Sequence, residues 1–171
     1  SQIKELVNYQ AHSKDLEINY IIHDDVPKYI WVDYIRLKQV LINLLTNAIK
    51  FTHVGGINLT ISVLEVHKKE TSLRFSVKDT GIGIRKNNQK IIFQAFSQED
   101  SSTTKKFGGT GLGLTISNQL LSLMNSKLQI KSHYNIGSTF FFDIKLKSSD
   151  KLKQNKSVNS INVISENRIL Q

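Results

Sequence analysis

The chain of 171 residues contains no cysteine, one proline and one tryptophan. Without cysteine it can form neither disulfides nor thiolate metal sites. No apolar run approaches the roughly 18 residues that a membrane-spanning helix needs, and the first residues lack the pattern of a signal peptide. We therefore expect this segment to be cytoplasmic, even if a parent protein is anchored in a membrane, and to make no membrane contact itself.

Acidic residues are few: 14 Asp and Glu stand against 23 Lys and Arg, which gives a formal net charge of +9. A cationic excess of this size raises the hypothesis of nucleic-acid binding. The lysines are scattered, however, their densest group lies in the polar C-terminal part, and no recognition motif accompanies them. We expect no nucleic-acid partner. The five histidines also lack metal-ligand spacing.

Apolar periodicity and turn residues predict alternating helices and strands. The most regular segment is a helix over residues 34–51, with Asp33 as its N-cap. The other predictions are helices over 3–14, 85–93 and 112–124, a polar loop over 94–110, and strands over 16–22, 57–66, 73–78, 127–132 and 138–146. This order predicts an α+β fold in which helices cover one face of a mixed sheet.

The composition changes after the last predicted strand. Residues 148–160 are rich in lysine, serine and asparagine and are typical of a linker. Residues 161–171 become apolar again, which predicts the opening of a further domain. The expected organisation is one domain over residues 1–147, a linker over 148–160 and the start of another domain from 161.

The polar face of the helix over 34–51 is dominated by amides and cations. Arg36, Gln39, Asn43, Asn47 and Lys50 follow at steps of three and four and so share one face. An asparagine can offer a carbonyl oxygen to Mg²⁺ or an amide to phosphate, and Lys50 can add a positive charge. The alternative is an ordinary solvated face in a chain rich in lysine and asparagine.

A carboxylate followed by two glycines ends the strand over 73–78. In Asp79-Thr80-Gly81-Ile82-Gly83, the acid can accept a hydrogen bond from an exocyclic amine such as that of adenine. The glycines allow the backbone to approach a ring closely. The alternative is a simple Asp-Thr-Gly turn.

A second glycine-rich stretch, Gly-Gly-Thr-Gly-Leu-Gly-Leu at residues 108–114, opens the predicted helix over 112–124. Such a loop can curl around phosphates, which the positive end of the helix also attracts. It lacks the Gly-Lys-Ser/Thr of a P-loop, and it follows a polar loop rather than the strand of a dinucleotide-binding fingerprint. It therefore predicts a phosphate site of another architecture.

Taken together and in this order, the motifs resemble those of the catalytic, ATP-binding domain of bacterial hybrid sensor histidine kinases. Residues 43–52 resemble the N box, 79–83 the G1 box, 93–96 the F box, 109–114 the G2 box and 137–139 the G3 box. The resemblance runs from residue 3 to 146. It implies the GHKL or Bergerat fold, a two-layer α/β sandwich with a mixed, mainly antiparallel sheet.

The resemblance also implies ATP and Mg²⁺ as ligands and assigns roles to residues. Asn47 would coordinate Mg²⁺, Asn43 and Lys50 would act on the phosphates as catalytic residues, and Asp79 would hold the adenine amine. Thr139 would pack near Asp79 and the base. The segment 94–109 would form a lid from which Lys105 or Lys106 reaches the phosphates. The complete implied nucleotide site is Asn43, Asn47, Lys50, Asp79, Gly81, Gly83, Lys105, Lys106, Gly109, Thr110, Gly111, Leu112, Gly113 and Thr139.

The implied activity is transfer of the ATP γ-phosphoryl group to a histidine on a separate dimerisation domain. The implied partners are that domain and a receiver domain or response regulator, within a parent that can be anchored in the inner membrane. No His-Glu or His-Asp pair lies on a predicted phosphoacceptor helix, so we expect the acceptor elsewhere. Residues 161–167 resemble the first strand of a receiver, with Glu166 as the only acid.

Two other functions stay open at the level of sequence. A GHKL ATPase that couples slow hydrolysis to conformational change would share the fold. Such enzymes place a general-base glutamate on the N-box helix, whereas the helix over 34–51 has no acid. A module that has lost nucleotide binding is the third reading, which the retention of every motif disfavours.

Overall fold

The computed structural model describes residues 2–27, 30–67, 70–97 and 112–147. Within these ranges the chain forms four helices and five strands. In chain order they are α1 (Gln2–His12), β1 (Glu17–Ile22), α2 (Tyr34–Phe51), β2 (Gly56–His67), β3 (Glu70–Asp79), α3 (Lys86–Ser97), α4 (Leu112–Ser122), β4 (Gln129–His133) and β5 (Gly137–Lys147). The predicted order of elements is confirmed.

The five strands form one sheet in the order β1-β2-β3-β5-β4. Strand β1 pairs with β2 in parallel, and the remaining pairs are antiparallel. Alternate residues of the central strands, including Ile57, Leu59, Phe75 and Val77, are buried in one core together with the apolar residues of α2. The predicted α+β sandwich with a mixed, mainly antiparallel sheet is therefore confirmed.

Helix α2 has the predicted limits because its start and its apolar stripe are encoded locally. The carboxylate of Asp33 accepts a hydrogen bond from the Arg36 N–H at 3.0 Å, which caps the helix. The buried stripe is Leu37, Val40, Leu41, Leu44, Leu45, Ala48 and Ile49. After the helix ends at Phe51, the Thr52 hydroxyl donates to the Ala48 carbonyl at 2.7 Å.

Helix α3 is longer than predicted. It runs from Lys86 to Ser97, so the first residues of the segment predicted as a polar loop are helical. Residues 91–96 carry apolar side chains three and four positions apart, and this spacing favours continuation of the helix. The rest of the predicted lid, residues 98–109, lies outside the described residues, as do the predicted linker and the segment from 161.

The strand register assigns side chains to the two faces of the sheet. Phe75 pairs with Phe142 and their rings stack at 5.2 Å between centroids in the core. Arg74 pairs with Asp143 on the opposite, outer face, where two hydrogen bonds of 2.8 Å join them. Side chains paired in this register therefore share a face.

Replacing Arg74 by alanine should cost only about 0.5–1 kcal/mol of unfolding free energy, because both partners of the ion pair are about one-third exposed. Urea denaturation of the parent and of Arg74→Ala measures this difference. A loss above about 3 kcal/mol, the scale of a broken buried pair, would contradict it.

Candidate functional site

Asp79, the last residue of β3, is a buried carboxylate with 5% of its surface exposed. Its Oδ1 accepts hydrogen bonds from the backbone N–H groups of Gly81 at 2.8 Å and Ser138 at 3.2 Å. Among the described residues, none donates to Oδ2. Burial raises the pKa of the Asp79 carboxyl above its usual value, and the two hydrogen bonds oppose that shift only in part. One carboxylate oxygen is therefore fixed while the other is available.

The loop after Asp79 rests directly on the end of α2. The Ile82 N–H donates to the Phe51 carbonyl at 3.2 Å. A Cβ at Gly81 would lie 2.3 Å from the same carbonyl oxygen, so only glycine fits this close approach. Thr80 anchors the other side of the loop, because its hydroxyl accepts from the Gly56 N–H at 3.0 Å.

The next residues of this loop lie against the turn between β4 and β5. Gly83 has a φ of +62°, and a Cβ there would lie 2.0 Å from the His133 carbonyl oxygen. The Asn135 N–H donates to the Ile82 carbonyl at 2.8 Å. Both glycines predicted in the G1 box thus occupy positions where a side chain would collide with backbone.

The amide row of α2 faces the first turns of α4. The Asn43 Nδ2 donates to the Gly113 carbonyl and to the Ser117 hydroxyl, both at 3.3 Å, and its Oδ1 accepts from Gln39 at 3.2 Å. Asn43 therefore holds α4 against α2. Helix α4 starts at Leu112, the predicted first residue of this helix.

Asn47 lies one turn further along the same face, partly buried. A Cβ at Gly113 would be 3.9 Å from its Nδ2, so the two residues are near neighbours. In the described part of the chain no hydrogen bond engages the Asn47 amide. Lys50, in the last turn of α2, is exposed, with its Nζ 5.2 Å from the centroid of the Phe51 ring.

The expectation that Thr139 packs beside Asp79 is wrong. The register pairs Thr139 with Lys78 on β3 and with Lys131 on β4. Because side chains alternate along a strand, Thr139 lies on the outer face of the sheet and Asp79 on the inner face. The neighbouring Ser138, which is buried and whose N–H donates to Asp79, occupies the predicted place.

Other predicted site residues fall outside the described ranges. These are Lys105, Lys106, Gly109, Thr110 and Gly111. The F-box residues 93–96 lie within α3.

The sequence contains five histidines. Only His23 is followed by an acid, Asp24, and it lies just after β1, beside a turn rather than on a helix. Within the described ranges, no group of three His, Asp or Glu residues could hold a metal ion. No helix there is long and apolar enough to cross a membrane.

Comparison with known proteins identifies the family. Residues 32–148 match the family model described as histidine kinase-, DNA gyrase B-, and HSP90-like ATPase. The chain is 39% identical over 145 residues to the signal transduction histidine-protein kinase BarA of Escherichia coli (strain K12). This match covers 85% of this chain and 16% of BarA. The chain is also 42% identical over 136 residues to the sensor histidine kinase GacS of Pseudomonas protegens. This match covers 80% of this chain and 15% of GacS. The chain thus spans a small part of these relatives.

Solved structures give the same answer. The crystal structure of full-length ShkA in complex with AMPPNP matches with a TM-score of 0.71 and 34% identity over 86% of this chain and 29% of ShkA. The nucleotide-free catalytic domain of the histidine kinase ThkA matches with a TM-score of 0.65 and 28% identity, over 84% of this chain and 87% of that domain. The chain therefore belongs to the family of histidine kinase-, DNA gyrase B- and HSP90-like ATPase domains, with histidine kinases as its relatives.

Proposed function

We propose that this domain binds Mg-ATP and supplies its γ-phosphoryl group to a histidine on a separate dimerisation domain in two-component signalling. The observation that carries the proposal is the Asp79 carboxylate, with Oδ1 fixed by two backbone amides and with no donor to Oδ2 among the residues that the structure describes. Such an oxygen can accept a hydrogen bond from the exocyclic amine of adenine. The match to ShkA bound to AMPPNP supports a nucleotide at this site.

The groups for the triphosphate and the metal lie on α2 and at the start of α4. Asn47 offers a carbonyl oxygen, the hard ligand type that Mg²⁺ accepts alongside phosphate oxygens and waters. Lys50 adds a positive charge one turn away, and the first turn of α4 presents the positive end of a helix. When bound, Mg²⁺ would neutralise charge on the phosphates.

Asn43 combines two roles in this proposal. Its amide joins α2 to α4 through Gly113 and Ser117, so it sets the position of the helix end that faces the phosphates. A phosphate contact, as the family resemblance implies, would replace one of these two hydrogen bonds. Lys105 or Lys106 would complete the phosphate site from the lid segment.

The transfer step needs little covalent chemistry from this domain. A ring nitrogen of the acceptor histidine attacks the γ-phosphorus, the bond to the β,γ-bridging oxygen breaks, and ADP leaves. The domain contributes positioning and charge stabilisation. Because α2 contains no acid to activate water, hydrolysis should be slow by comparison.

The names of the relatives support a proposal for the partners. BarA and GacS are named as signal-transduction and sensor histidine kinases, so we propose a dimerisation domain with the acceptor histidine and a receiver domain or response regulator as partners. A parent anchored in the inner membrane fits the same proposal.

Phosphotransfer in trans tests the proposed function. With γ-labelled ATP and Mg²⁺, the chain alone should remain unlabelled, because His23 is not on a helix. Addition of a separately produced dimerisation domain should give acid-labile, base-stable label on that domain. The control is the same domain with its acceptor histidine replaced by glutamine, which should stay unlabelled.

Three outcomes would count against the proposal. Phosphohistidine on the chain alone would place the acceptor within it. Absence of ATP binding in the folded chain would refute the nucleotide site itself. Rapid phosphate release without any acceptor would favour the ATPase that couples hydrolysis to conformational change.

A further inference from the structure

A side-chain amide on α3 joins two backbone segments beside Asp79. The Gln89 Nε2 donates to the Ile84 carbonyl at 2.7 Å and to the Ser132 carbonyl at 2.9 Å. Ile84 belongs to the loop that follows Asp79, and Ser132 belongs to β4. One amide therefore links the loop, the sheet and α3.

The hydroxyl of Ser132 extends this link towards the carboxylate. It accepts a hydrogen bond from the Ile84 N–H at 2.8 Å, and it lies 2.9 Å from the Ser138 hydroxyl and 3.1 Å from the Gly137 carbonyl. The Ser138 N–H in turn donates to Asp79 Oδ1. We call Gln89, Ser132 and Ser138 the Gln89 clamp.

The clamp acts on both backbone segments that orient Asp79. Gly81, whose N–H holds Oδ1 from one side, lies at the start of the loop, and Gln89 and Ser132 fix that loop at Ile84. Ser138, whose N–H holds Oδ1 from the other side, is fixed through Ser132. Both donors of the carboxylate thus belong to backbone segments that Gln89 and Ser132 hold through hydrogen bonds.

We propose that Gln89 and Ser132 are positioning residues for adenine recognition: they hold the Asp79 carboxylate and the 82–84 backbone in the geometry that receives the base, without touching the nucleotide. The inference rests on the proposed function, since it assigns Asp79 to adenine. It adds two residues that lie in none of the sequence motifs.

The test replaces Gln89 by methionine, which keeps the length of the side chain and removes both donors. Loss of one or two hydrogen bonds should weaken ADP binding by roughly five- to thirtyfold in calorimetry. Gln129→Met is the matched control, because Gln129 is a partly buried glutamine of β4 on the outer face of the sheet. The control should stay within about twofold of the parent.

Two further measurements separate positioning from general structural damage. Gln89→Lys restores a donor and should recover most of the lost affinity, whereas a defect of packing would persist in it. Amide hydrogen exchange of the nucleotide-free protein should show faster exchange at the Ile84 and Asn135 N–H groups in Gln89→Met. Thermal unfolding confirms that each variant is folded at the temperature of measurement.

The failures of the two proposals are distinguishable. If the parent binds ADP and folded Gln89→Met binds it equally well, the clamp proposal is overturned and the proposed function stands. An equal loss in Gln129→Met, or no recovery in Gln89→Lys, also overturns it. If the folded parent does not bind ADP, both proposals fall together.

Discussion

Replacing Asp79 by asparagine is expected to weaken adenine-nucleotide binding by about 1.5–3 kcal/mol, the scale of a hydrogen bond to a charged group. Asparagine keeps one oxygen for the N–H groups of Gly81 and Ser138. Its NH₂ group then takes the place of Oδ2 and meets the exocyclic amine of adenine, so two donors face each other. Calorimetric titration with ADP measures the difference.

The matched control is Asp143→Asn, the same substitution on the outer face of the same sheet. It should leave ADP affinity unchanged. If folded Asp79→Asn binds ADP as tightly as the parent does, the assignment of Asp79 to adenine is wrong.

Asp79→Asn should leave the nucleotide-free domain as stable as the parent, or more stable. Burial raises the pKa of the Asp79 carboxyl in the folded state, so the folded protein holds this proton more tightly than the unfolded chain. The contribution of Asp79 to stability therefore falls as pH rises from the usual carboxyl pKa through the raised one, and its ionised form costs stability at neutral pH. Asparagine carries no charge and avoids that cost. Thermal midpoints without ligand measure this, and a large drop in Asp79→Asn would contradict it.

Replacing Asn47 by alanine is expected to remove most of the Mg²⁺ dependence of ATP binding. The carbonyl oxygen of Asn47 is the proposed metal ligand, whereas the proposed contact with adenine is made by Asp79. The affinity for ADP without metal should therefore change by less than about twofold, the range of a substitution that touches no ligand. Titrations of ATP and ADP, each with Mg²⁺ and with chelator, measure the four affinities.

Asn58→Ala provides the control for this prediction. Asn58 lies on the outer face of β2, where its Oδ1 accepts from Asn19 at 3.3 Å, so the variant also loses an asparagine but none near α4. It should keep the full Mg²⁺ effect. An undiminished Mg²⁺ effect in folded Asn47→Ala would move the metal site away from α2.

Features encoded by neighbouring residues could be predicted from the sequence. Helix α2 has the predicted limits because its cap, Asp33, and its apolar stripe are local signals. Asp79 and Gly81 belong to one sequence motif because they are two residues apart, and the structure shows the hydrogen bond between them. That geometry does not test their role towards a nucleotide, which stays a prediction.

The error at Thr139 came from the pairing of strands rather than from the motif. A usable signal is present further along the strand, where the apolar residues Phe142, Ile144 and Leu146 alternate with Asp143 and Lys145. Counting back in steps of two from Phe142 places Ser138 on the inner face with Asp79, and Thr139 on the outer face.

The Gln89 clamp could not be predicted in this way. Two of its hydrogen bonds join residues that lie far apart in the chain. Gln89 and Ser132 are separated by 43 positions, and Ile84 and Ser132 by 48 positions. A glutamine and a serine at that separation produce no periodicity and no motif. Only the packing of α3 and of the loop after Asp79 against β4 brings them together.

Phe51 connects two parts of the fold. It is the last residue of α2, and its carbonyl accepts a hydrogen bond from the Ile82 N–H in the loop after Asp79. Asn47 lies four residues before Phe51, which is roughly 6 Å along the helix axis. The loop proposed to bind the base and the α2 residues proposed to bind the phosphates are therefore both held by one helix. If both proposed contacts are made, the rise per residue of α2 sets the distance between the base and the phosphates, and we expect the site to select ligands by that distance as well as by the groups at either end.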